Sequence, residues 1–149
     1  MTKWDRLPAC PGRQDACPTL TNLMTYLLDV SILLAWLWAD HEHHQRVIRW
    51  QKGKSIAVCP ITELGFVRIS TQPVFGATMD EAREMLSFWH KKVQPQFVPC
   101  DLKILDSAPA PASGRTTDFY LASLAEKHGM NWATLDESSK HQSAFVLPD

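Results

Sequence analysis

The chain has no excess of charge of either sign: 15 Lys and Arg stand against 16 Asp and Glu, for a net of −1 over 149 residues. That balance excludes a global basic field, so any contact with nucleic acid must come from a local patch. Four cysteines, Cys10, Cys17, Cys59 and Cys100, form no C-x-x-C pair. Cys10 and Cys17 could offer a bridge or half a zinc site, but ligands for a closed four-coordinate site are missing nearby. No apolar run approaches 18 residues and no signal peptide is evident, so the expected setting is the cytoplasm, without membrane contact. G-x-S-x-G, P-loop and G-x-G-x-x-G patterns are absent, which leaves serine-hydrolase and nucleotide-binding readings unsupported.

What is present suits one soluble α/β domain. A hydrophobic fraction of 45% with 21% charge is ordinary for a globular chain of this length. Residues 1–23 carry prolines, two cysteines and scattered charge without a period, and read as a poorly ordered arm. The compact domain is expected over 24–149.

Within that domain, Tyr26-Leu27-Leu28 is a short apolar run that stops on Asp29, as a strand buried on both faces would. Ser31 is the expected N-cap of the helix that follows. Val47, Ile48 and Trp50 lie among basic residues in a helix stopped near Gly53. Ser55–Cys59 reads as a second buried strand, and Pro60 opens a helix predicted to turn Ile61, Leu64 and Val67 inward. Thr78 and Glu81 form a capping box before a stripe of Met79, Ala82, Met85, Leu86, Trp89 and Val93. Phe97-Val98 is a short third strand, and residues 107–114 are a loop. Thr116 or Thr117 is expected to cap a helix that ends at Gly129. Strands at 131–135 and 144–147 follow. Strands alternating with helices predict a three-layer α/β/α fold around a mainly parallel sheet of about five strands.

Isolated acids fall at the joints. Asp29 ends the first strand, Glu63 and Asp118 sit in first helical turns, and Asp136 follows the fourth strand. Parallel strands open all their strand-to-helix joints at one edge, so the four carboxylates are expected to converge. Gathered carboxylates need cations, and an all-oxygen ligand set suits Mg²⁺ or Mn²⁺ and phosphodiester hydrolysis. Each acid alone also has a structural explanation, as a helix-dipole partner or a turn residue. The second Asp of a phosphatase D-x-D is missing, with Ser31 in its place. His41, His43 and His44 match no zinc spacing. Arg46 and Arg49, with Lys52 and Lys54, are candidate contacts to RNA, as is Arg115, three residues before Asp118.

LLDVSILLAWL, ITELGFVRISTQP, RTTDFYLASLAEKHG and WATLDESS, in that order, resemble the PIN domain and, more narrowly, VapC-type toxins of bacterial toxin–antitoxin pairs. The resemblance covers residues 24–149. It implies a PIN-like fold and a metal-dependent endoribonuclease, with Asp29, Glu63 and Asp118 as metal-binding acids and Asp136 as a more variable fourth. It implies support from Ser31 and Thr134 through hydrogen bonds, although many relatives carry Thr-Asn where this chain has Val30-Ser31. Implied partners are an RNA substrate, an antitoxin that blocks the site, and a second copy in a homodimer. A non-catalytic PIN-like binding module and a nuclease of RNA maturation without an antitoxin remain the alternatives.

Overall fold

A computed structural model describes residues 23–149, so the expected arm lies outside the described residues except for Leu23. Strand β1 (Thr25–Leu28) leads into α1 (Val30–Leu37) and α2 (His44–Trp50). Then come β2 (Ser55–Val58), α3 (Pro60–Ser70), α4 (Met79–Val93) and the short β3 (Gln96–Phe97). Two 3-10 turns, Ile104–Asp106 and Ser113–Arg115, precede α5 (Thr116–Lys127), β4 (Asn131–Thr134) and β5 (Ala144–Val146).

The five strands form one sheet in the order β3-β2-β1-β4-β5, and every pairing is parallel. β1 is central because the chain first builds outward through β2 and β3, then crosses to its other side for β4 and β5. The crevice at such a reversal, between β1 and β4, is where open α/β sheets place ligands.

Successive residues of β1 face opposite ways and feed two cores. Leu28 joins Ile32, Leu33, Val47, Trp50, Phe66 and Trp89 beneath α1 to α4. Leu27 joins Leu121, Leu124, Met130 and Trp132 beneath α5. The sheet is therefore covered on both faces, as a three-layer domain requires.

Several local expectations are corrected. Asp29, not Ser31, caps α1: its backbone is extended and its carboxylate accepts from Val30 N. α3 buries Thr62, Phe66 and Ser70, while Leu64 is 69% exposed. The cause is a close approach to α1, since a Cβ on Gly65 would lie 2.6 Å from Val30 Cγ2. The glycine shares the inner side of α3 with its neighbour Phe66, and Leu64 on its other flank is turned outward. α4 starts with both halves of the capping box formed, but Met79 is 58% exposed and the buried stripe reduces to Ala82 and Trp89. Neither threonine caps α5; Arg115 holds that position and Thr116 Oγ1 donates to Ser113 O inside the preceding turn. Gly129 does stop α5, with φ +70°.

Candidate active site

The end of β1 and the end of β4 are stitched together through one carboxylate. Asp29 N donates to Ala133 O at 2.9 Å, which fixes the backbone. Its Oδ1 accepts from Val30 N at 2.8 Å, and its Oδ2 accepts from Ser31 Oγ at 2.9 Å and Thr134 Oγ1 at 3.0 Å. Both residues expected to support Asp29 thus touch it. Burial pushes the Asp29 carboxyl above its ordinary value; Ser31 and Thr134 oppose the rise, and repulsion from Asp118 adds to it.

Asp118, in the first turn of α5, is also raised chiefly by burial, with Arg115 opposing and Asp136 adding. Asp136 is held lower than usual, first by Ser138, whose N–H and Oγ donate to its Oδ1 at 2.9 and 2.7 Å, and then by Arg115. Thr134 Oγ1 accepts from Asp136 N at 3.1 Å, so the same hydroxyl serves two of the acids. Arg115 Nη1 spans Asp136 Oδ2 at 2.5 Å and Asp118 Oδ2 at 3.4 Å. Three acids and one arginine therefore share the β1–β4 crevice. A cleft of about 180 Å³, lined by Arg115, Asp118, Phe119, Ser138 and His141, opens beside them.

Glu63 departs from the expected four-way convergence. Its helix is anchored to this edge, because Thr62 Oγ1 donates to Leu28 O at 2.7 Å. Its carboxylate, however, pairs with His90 Nε2 on α4. Among the described residues, no three His, Cys, Asp or Glu side chains meet as a ready cage for a metal ion. The donor set still fits a hard cation: it offers carboxylate oxygens, one of them buried and held in place by two hydroxyls, at a crevice where burial and like charge leave the carboxylates short of compensating positive charge.

The other candidates disperse. Arg46 is committed to the chain end, with Nε donating to Pro148 O at 2.9 Å and Nη2 lying 3.4 Å from Asp149 Oδ1. Arg49 is exposed on α2. His44 Nδ1 is hydrogen-bonded with Ala35 O, and His43 lies beside Glu42. Sequence reasoning missed His90 and Ser138. Ser138 was visible as the last residue of an Asp-x-Ser turn, whereas nothing local signals a partner for Glu63 that is 27 positions away.

Comparison with known proteins adds the following. The PIN domain family matches residues 26–143. Ribonuclease VapC44 of Mycobacterium tuberculosis is 35% identical over 125 residues, 77% of this chain and 88% of the relative. Ribonuclease VapC38 of the same organism is 33% identical over 118 residues, 74% of this chain and 84% of its own length. Ribonuclease VapC29 is 33% identical over 122 residues, covering 79% and 90%.

Proposed function

The chain belongs to the PIN domain family, and from that premise we propose that it is a VapC-type endoribonuclease, the toxin of a toxin–antitoxin pair. The relatives it matches over most of their length are named ribonucleases. The observation that carries the reading is the Asp29 carboxylate, buried at the β1–β4 crevice, held by Ser31 and Thr134, and within repelling reach of Asp118. Burying a carboxylate against another costs stability, and a fold keeps such an arrangement where a cation or a charged substrate uses it.

Asp29, Asp118 and Asp136 would hold Mg²⁺ or Mn²⁺, with Glu63 completing the set on release from His90. A bound ion supplies positive charge against the phosphodiester and acidifies water at the scissile bond. The chain's own residues do the positioning. Thr134 fixes Asp29 and Asp136 from one hydroxyl, Ser31 prevents the Asp29 carboxylate from rotating, and Thr62 ties the head of α3 to the end of β1. An open edge rather than a deep pocket suits a polymeric substrate. No helix among the described residues is long and apolar enough to cross a membrane.

The antitoxin and a second copy of the chain are the proposed protein partners. The test incubates purified full chain with RNA in Mn²⁺ and in chelator, beside Asp29→Asn. Cleavage by wild type in Mn²⁺ only, and none by the variant, is expected. Cleavage that survives chelator and Asp29→Asn would overturn the assignment. Inhibition by the protein encoded immediately upstream would identify the antitoxin, and light scattering would read the dimer.

A further inference from the structure

Arg115 sits where the turn Ser113–Arg115 enters α5, and its guanidinium reaches across to the segment after β4. Nη1 is shared between Asp136 and Asp118, at 2.5 and 3.4 Å. Nη2 donates to Ser138 Oγ. Ser138 in turn donates its N–H and its hydroxyl to Asp136 Oδ1. The arginine is thus held by a closed ring of partners rather than by a single exposed ion pair. Its planar fork suits such a bridge, because a guanidinium presents parallel donors to carboxylates. The two acids it joins are 18 positions apart in sequence and lie on different elements, so without a cation between them their like charges would repel.

A divalent ion that took the same carboxylate oxygens would meet a tethered competitor and a like charge beside it. We propose that Arg115 is a positioning residue that competes with the divalent cation for Asp118 and Asp136, and so sets the cation concentration at which the centre fills. The inference rests on the metal-dependent reading given under Proposed function. It differs from a purely structural strap in the sign of its effect. Losing a strap loosens the carboxylates and weakens ion binding or leaves it unchanged; losing a competitor tightens it.

The experiment titrates Mn²⁺ calorimetrically into full-length wild type, Arg115→Gln, Arg115→Lys and Ser138→Ala, all stripped with chelator and held at one ionic strength. Arg115→Gln should bind Mn²⁺ roughly tenfold more tightly, as removal of a unit charge within a few ångströms of an exposed site predicts. Arg115→Lys keeps the charge and should stay close to wild type. Ser138→Ala frees one side of the guanidinium and should tighten binding by a smaller factor, which keeps the test decisive if Arg115→Gln fails to fold. Equal or weaker binding by Arg115→Gln, or by Ser138→Ala where it stands in, overturns the role of Arg115 alone. Wild type that takes up no Mn²⁺ overturns the metal centre itself, and the competition with it.

Discussion

Asp29 and Glu63 occupy matching places, each just beyond the carboxyl end of a strand and at the head of the helix that follows. Their surroundings differ. Asp29 is buried and its carboxylate is engaged by two hydroxyls and a backbone N–H from β4 and its own turn. Glu63 has a single side-chain partner, His90, supplied by a neighbouring helix. A carboxylate held by its own strand edge keeps its geometry as long as the sheet exists. One held by a helix on the outer layer depends on how that helix packs. The difference teaches that the edge has a fixed half, built on β1, β4 and the head of α5, and an adjustable half, built on α3 and α4.

The largest effect should come from breaking the fixed half. Asp29→Asn keeps an acceptor for Val30 N and a shape the two hydroxyls can accommodate by rotating, so the fold should survive while RNA cleavage falls to background. His90→Ala frees the Glu63 carboxylate in the adjustable half, so cleavage should stay at or above the wild-type rate. Measured rates of RNA cleavage with circular dichroism as a folding control decide it. A larger loss from His90→Ala than from Asp29→Asn would reverse the assignment of the two halves.

The halves meet where α3 crosses α1 at Gly65. Gly65→Val places a side chain into a space where even a Cβ lies 2.6 Å from Val30 Cγ2. Val30 is β-branched and sits in the first turn after Asp29, so it has little freedom to yield. Overpacking of this kind should cost about 2–3 kcal/mol, seen as a lowered denaturant midpoint with unchanged slope. An unchanged midpoint would mean that α3 moves freely relative to α1.

Next in size is Thr134→Val, which keeps the shape of a buried side chain and removes its hydroxyl. Asp29 loses a donor and Asp136 N loses an acceptor. The cost should be about 1–3 kcal/mol, measured in the same way. A cost near zero would show that water replaces the hydroxyl and that the fixed half is less dry than its burial implies.

The same division explains what could be read from the sequence. Asp29 was legible because strand ends in a parallel sheet share an edge, whereas the supporting hydrogen bonds of Ser31 and Thr134 were expected only from the resemblance to the PIN domain. The three-layer order followed from alternating strands and helices, and the PIN domain match agrees with it. Side-chain choices between helices were not legible. Leu64 looked like core by period, yet Gly65 drew α1 onto the other side of α3. Glu63 looked equivalent to Asp29 because both follow strands, but its partner comes from an outer helix, and no local rule encodes which helical side chains meet across a layer. Ser31 was expected to cap α1 as a small polar residue before an apolar run; the cap lies two residues earlier because Asp29 serves the helix and the crevice together.

The smallest effect, and the one that separates the halves most cleanly, is the pH dependence of stability in chelator. Asp118 carries a folded-state pKa above its ordinary value of 3.8, with burial the first cause. A raised carboxyl binds its proton more tightly in the folded chain than in the unfolded one, so the unfolded state has fewer protons bound through that window. Stability from this group is therefore fully present below the unfolded pKa and is lost as pH rises through the folded pKa. Asp118→Asn removes the titration, so near neutral pH the variant should be at least as stable as wild type, with its advantage growing as pH rises from about 4. Glu63→Gln changes the other half: it replaces the carboxylate that faces His90 Nε2 with a neutral amide and should cost a few tenths to about 1 kcal/mol. Melting temperatures of the three proteins across a pH series in chelator give the comparison. If Asp118→Asn is less stable than wild type at neutral pH while Glu63→Gln is more stable, the strain lies at Glu63, and the half described as fixed is the relaxed one.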